Sequence, residues 1–152
     1  FLQSSTRTSD ANAYSAGHAI TNSTASPAIP SQALSGAVAG QFVVITNARV
    51  ISNAATTGMG INLWCFGVTF SGTNDNAALS IDDTTAATGG VVVPCNNYYS
   101  TAANARCVSD PGYWIIQLAA ADTKLYVECQ ASAGYTPGNG ETYYVVIEGH
   151  LL

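Results

Sequence analysis

From Lys124 to Ala131 apolar and polar residues alternate without a break. Leu125, Val127, Cys129 and Ala131 fall on one side of an extended chain, and Lys124, Tyr126, Glu128 and Gln130 on the other. A period of two predicts a strand with one core face and one wet face. Gln41 to Ser52 is a second strong strand with a different pattern. Strict alternation puts Phe42, Val44, Ala48 and Val50 on one face, and Val43, Ile45 and Ile51 on the other with Asn47 and Arg49. Ile61 to Phe70 likewise carries large residues on both sides: Ile61, Leu63 and Cys65 against Trp64, Phe66, Val68 and Phe70. A sandwich strand turns one face to its core, so a loop or a partner is expected over the second.

Shorter strands are expected at Tyr14 to Thr21, Gly90 to Cys95 and Tyr113 to Leu118, the last after a Pro111–Gly112 turn. A final strand runs from Glu141 to Leu152, with Tyr143, Val145, Ile147 and Leu151 on one face. Residues 22–40, rich in Ser, Ala, Gly and Pro, read as a long connection or an extended edge segment. Ser71 to Gly90 reads as a loop region with one helical turn near Ser80 to Ala87, capped by Ser80 or Asp82. The total is seven or eight strands with turn signals between them and no internal repeat. The fold class expected is all-β: one β-sandwich domain, jelly-roll-like, over residues 14–152, preceded by a polar, irregular N-terminal arm over 1–13.

Charge changes the picture. Only 9% of the 152 residues are charged, with Lys124, Arg7, Arg49 and Arg106 as the whole basic complement; ordinary globular chains carry roughly 25%. The surface is left to Ser, Thr, Asn, Ala and backbone, which protects poorly against association. A net charge of −5 offers no basic patch for phosphates, so no nucleic-acid partner is expected. No apolar stretch approaches ~20 residues, so no membrane-spanning helix is expected. The chain opens on Phe1 instead of Met, so a preceding segment is expected to have been removed or left out; Phe1 to Asp10 is too polar for a signal-peptide core or a pilin-type helix.

Candidate chemistry is sparse, and no enzyme is expected. His18 and His150 lie far apart, no GxSxG elbow is present, and the cysteines lack CxxC spacing, so no cofactor or metal is expected. Asp82 and Asp83, with Asn74, Asp75 and Asn76, are oxygen-rich but lack calcium-loop spacing and read as turn residues. Cys95 and Cys107 flank the polar loop Asn96 to Arg106, where a small-loop disulfide and two free thiols both fit. Cys65 and Cys129 sit in apolar strand patterns and read as buried thiols. Trp64, Trp114, Tyr98, Tyr99, Tyr113, Tyr126, Tyr135, Tyr143 and Tyr144 could stack on sugars or fill interfaces; Tyr126, on the wet face of its strand, and the loop pair Tyr98 and Tyr99 are the ones most expected to be exposed.

Short motifs add a resemblance. Asp10-Ala-Asn-Ala-Tyr14-Ser-Ala-Gly17-His18-Ala-Ile20 resembles the D-x-x-x-Y-x-x-G-D-x-I opening of a family of small tailed-bacteriophage structural proteins. Asn47 to Ser52, Ile61 to Phe66 and Thr73-Asn-Asp-Asn-Ala-Ala-Leu-Ser80-Ile-Asp-Asp83 resemble its middle. The likeness covers most of residues 10–90, with His18 where that pattern has Asp and Leu79 where it has an aromatic. It implies a non-enzymatic β-sandwich that decorates or cements the exterior of the virion capsid, with the major capsid protein as partner and a homotrimer as the assembly. The strand patterns and the polar loop, not the resemblance, supply the expected interface: Val43, Ile45 and Ile51 on the second face of Gln41 to Ser52, with Tyr98, Tyr99 and Tyr126. A carbohydrate- or receptor-binding module of a tail fibre or cell surface is the alternative that the aromatics support.

Overall fold

The computed structural model describes residues 2–7, 11–25, 27–54, 59–81, 89–138 and 140–152. Eleven strands pair antiparallel in two sheets, a single-domain β-sandwich. They are β1 (Leu2–Thr6), β2 (Ala19–Ile20), β3 (Ser31–Ala33), β4 (Phe42–Ser52), β5 (Ile61–Phe66), β6 (Val91–Cys95), β7 (Asn97–Ser100), β8 (Ala105–Val108), β9 (Trp114–Gln117), β10 (Lys124–Ala131) and β11 (Thr142–Leu151). The six-stranded sheet runs β1-β11-β4-β8-β7, with β9 following β8 along the same side of β4. The five-stranded sheet runs β2-β10-β5-β6, with β3 also on β10.

Four elements differ from the sequence reading, each for a local reason. Leu2–Thr6, expected as irregular arm, is an edge strand on β11, where backbone pairing needs no apolar pattern. The polar loop from Asn96 to Arg106 is a hairpin: β7 and β8 pair Tyr99 with Arg106, and the turn closes through Thr101 and Asn104. The strand begun at Ile61 stops at Phe66. A side chain on Gly67 would lie 2.0 Å from the Gln117 carbonyl oxygen, so the chain crosses the end of β9 at backbone distance. The expected strand at Tyr14 to Thr21 shrinks to Ala19–Ile20, flanked by single bridges from Tyr14 to Tyr135 and from His18 to Ala78. The helical turn expected at Ser80 to Ala87, and with it Asp82 and Asp83, falls mostly outside the described residues.

The two-faced pattern of β4 has a simple origin. Asn47 pairs with Glu148, yet Ile45 pairs with Gly149, so Thr46 is an extra residue and β4 carries a bulge. The bulge reverses the facing of everything before it. Val43 and Ile45 turn inward with Ala48 and Val50, and all four are buried. Gly149 makes this possible: a side chain there would lie 2.0 Å from the Val44 carbonyl oxygen. The core between the sheets gathers Ile45 and Val50 with Leu63, Val93, Ile116 and Tyr143, among others.

A polar network closes one end of this core. Buried Arg7 donates from Nε to the Tyr14 hydroxyl at 3.2 Å, and Tyr14 donates to Asp75 Oδ1 at 2.8 Å. Tyr14 stacks on Tyr135 with ring centroids 5.6 Å apart, and the Tyr135 hydroxyl meets that of Tyr143. Beside them buried Glu141 accepts from Ser52 Oγ at 2.5 Å and from the Gly138 amide at 2.7 Å. Burial pushes the Tyr14, Tyr135 and Tyr143 phenols well up from their ordinary value, so they remain neutral donors.

Candidate interaction surface

The two outer faces of the sandwich are treated differently by the chain. Over β10 the expected wet face is roofed. Tyr126 and Glu128 are buried, and the Thr73 amide of the loop after β5 donates to Glu128 Oε1 at 2.8 Å. Gln130 reaches the Gly17 carbonyl in the segment before β2. Alternation was read correctly for β10, but the long connections fold back over its polar side.

The outer face of the six-stranded sheet carries an open row of side chains. Cross-strand register aligns Tyr144 of β11, Ile51 of β4, Arg106 of β8 and Tyr99 of β7. Strand spacing places the two tyrosines roughly 14 Å apart at the backbone, three steps of about 4.8 Å. Tyr99 is 54% and Tyr144 42% exposed. The Arg106 guanidinium lies over the Tyr99 ring, 5.2 Å from its centroid, a geometry that leaves its donor edge free of the ring. The next row joins Val146, Arg49, Val108 and Asn97. Arg49 Nη1 donates to Glu148 Oε1 at 2.7 Å and holds that carboxyl below its ordinary value. At the far end, beyond the bulge, Phe42 and Ile115 project outward, 45% and 53% exposed. This face therefore carries exposed aromatic and aliphatic side chains together with Arg49 and Arg106; of the remaining basic residues, Arg7 is buried and Lys124 lies on β10.

The expected interface residues separate on these faces. Tyr99 and Ile51 lie on the open face, Ile51 half-buried. Val43 and Ile45 do not; the bulge sends them into the core. Tyr98 points inward, packs against the core and has a buried hydroxyl with no hydrogen-bond partner among the described residues. Tyr126 is buried, and its hydroxyl donates to Asp122 Oδ2 at 2.5 Å. That bond pushes the phenol up to about 12 and holds the Asp122 carboxyl down. Tyr144 was one of several candidate aromatics; Phe42, Ile115 and Arg106 were not singled out in the sequence. Tyr144 was legible, because β11 alternates and places it opposite Tyr143 and Val145. Phe42 and Ile115 required knowledge of the bulge.

The disulfide reading is not upheld. Cys65, Cys95, Cys107 and Cys129 are all free and buried. Cys95 ends β6 in one sheet and Cys107 lies in β8 of the other, with β7 between them in the chain. Each points into the core as a small apolar group. Burial pushes the Cys95 thiol up to about 12 and the other three further still, which makes them poor nucleophiles.

His18 Nδ1 lies 2.9 Å from Asn76 Oδ1, and His150 is exposed at the opposite end of β11. Among the described residues no group of three or more His, Cys, Asp or Glu side chains is placed to hold a metal ion. The open face offers stacking, apolar contact and guanidinium donors, which is binding chemistry. No family model, curated protein or solved structure matches the chain.

Proposed function

We propose that this chain is a non-enzymatic virion structural protein that decorates the exterior of a tailed-phage capsid. It docks on the major capsid protein through the outer face of its six-stranded sheet. The observation that carries the reading is the asymmetry of the two faces: one is roofed by the chain's own loops, and the other leaves Tyr99, Tyr144, Phe42 and Ile115 in solvent beside Arg49 and Arg106. Interface centres are enriched in aromatic residues and arginine and depleted in lysine. The sparse charge of the remaining surface and the motif resemblance over residues 10–90 support the same reading. Self-association as a homotrimer belongs to it, since closed symmetry limits runaway assembly of so neutral a surface. The test is co-sedimentation with capsid shells stripped of this protein. Wild type pellets with the shells, and Arg106→Glu or Tyr144→Ser stays in the supernatant; equal pelleting of all three would overturn the reading.

Carbohydrate binding is the second reading, and the shared exposure of Tyr99 and Tyr144 on one flat face favours it. Burial of Tyr126 removes one of the aromatics that supported it. Reproducible glycan-array binding that Tyr99→Ala abolishes would select it over capsid docking.

A further inference from the structure

Glu128 sits at the centre of β10, on the face that the long loops cover. It is 1% exposed. Its Oε1 accepts from the Thr73 amide at 2.8 Å, and its Oε2 is buried with no hydrogen-bond partner among the described residues. Thr73 is the hub of the covering loop. Its carbonyl accepts from Thr21 Oγ1 at 3.0 Å, and its hydroxyl lies 3.1 Å from both the amide and the carbonyl of Ser80. This carboxylate ties Thr73 to the sheet, while residues 75–79 of the same loop are bonded separately to residues 17–23; half of the carboxylate is unsatisfied. A neutral carboxyl tolerates such a site; an ionised one has lost its hydration and gained only what the amide and hydroxyl of Thr73 offer, which burial outweighs.

Among the described residues the neighbouring elements supply no counter-charge. Trp64 stands opposite on β5, and Tyr126 and Gln130 flank Glu128 along β10. Tyr126 is committed to Asp122, and Lys124 is exposed near the start of the strand. In the covering loops Asp75 accepts from Tyr14 and from the Thr21 amide, and His18 contacts Asn76. Cys129, the next residue, points to the opposite face, into the core.

We propose that Glu128 is a proton-controlled latch: its neutral form keeps Thr73 and the chain beside it closed over β10, and its ionisation releases Thr73 to let water reach Oε2. Burial raises the Glu128 carboxyl from 4.5 to about 7, which places the transition near neutrality. The closed state holds its proton up to about pH 7, whereas an opened, hydrated carboxyl loses it near its ordinary 4.5. Opening therefore becomes easier as pH rises between these values and levels off above the upper one.

The experiment is carried out on the full chain by NMR. The Glu128 side-chain carboxyl carbon is titrated, and hydrogen exchange of the Thr73 amide is followed in wild type and in E128Q. The expected midpoint lies near 7, with the opening equilibrium at Thr73, corrected for intrinsic exchange, rising about tenfold from pH 6 to pH 8. E128Q, which keeps the acceptor and cannot ionise, shows no rise. A carboxyl midpoint near the ordinary glutamate value, or the same rise in E128Q as in wild type, overturns the proposal. If E128Q does not fold, the wild-type titration decides by itself.

Discussion

Arg106 on β8 lies across from Tyr99 on β7, with its guanidinium carbon 5.2 Å from the ring centroid. Both face solvent, and neither contributes to the core cluster. The pair lies on the open face of the six-stranded sheet. Arg106→Ala and Tyr144→Ser should each change unfolding free energy by no more than about 0.5 kcal/mol, as exposed substitutions do. The same changes should weaken association with shells tenfold or more. Urea denaturation alongside a binding isotherm separates the two effects; a large loss of stability in either variant would mean the face serves the fold.

Gly149 sits where β11 passes the bulge of β4 at backbone distance. Gly149→Ala places a methyl group 2.0 Å from the Val44 carbonyl oxygen, so one strand must move. The expected loss is about 2–4 kcal/mol, in the range of strained or overpacked sites. Chemical denaturation measures it, and a loss under 0.5 kcal/mol would show that the bulge tolerates a side chain.

Glu141 holds two groups at once, the Ser52 hydroxyl and the Gly138 amide. Glu141→Ala leaves both buried or partly buried donors unmatched beside the stacked Tyr14 and Tyr135. A loss of about 2–4 kcal/mol is expected, visible as a lower urea midpoint with unchanged slope. Full stability in the alanine variant would place Glu141 outside the network.

The four cysteines should behave as inert thiols. The native chain, without reductant, should react with a thiol reagent only on unfolding, and then with four equivalents. Two equivalents from the unfolded, unreduced chain would restore the Cys95–Cys107 bridge.

Glu128 also sets a sign for stability against pH. Its folded value lies above its unfolded one, so the folded state binds the extra proton between about 4.5 and 7. Stability from this group is full below the lower value and is lost as pH rises through the upper one, by up to about 3 kcal/mol. Thermal melts from pH 5 to pH 8 should show that slope in wild type and lose it in Glu128→Gln. A wild-type stability that rises over the interval and matches the variant would contradict the assignment.

The fold was legible wherever period two survived locally. Lys124 to Ala131 is a strand with the expected bounds, and β4, β6, β9 and β11 fall within a residue or two of their readings. What alternation cannot carry is a change of phase. One extra residue at Thr46 moved Val43 and Ile45 from the outer face to the core and turned Phe42 outward. Nor does it reveal what lies above a polar face. Tyr126 and Glu128 look solvent-facing in the chain and become buried because loops distant in sequence fold over them. The β7–β8 hairpin was missed because Asn97, Tyr98 and Tyr99 gave no apolar alternation, and its pairing rests on backbone and the Arg106–Tyr99 contact. The open face follows from register, and register is a property of strand pairs that no single segment encodes.

The central claim is that this chain docks on the capsid exterior through the outer face of its six-stranded sheet. A density map of virions from the phage proposed to encode it tests that claim most directly. The expected map shows the sandwich on the outside of the shell, with Tyr99, Arg106, Ile51 and Tyr144 turned toward the major capsid protein. A shell without this chain, or a bound chain with that row facing solvent, would contradict it.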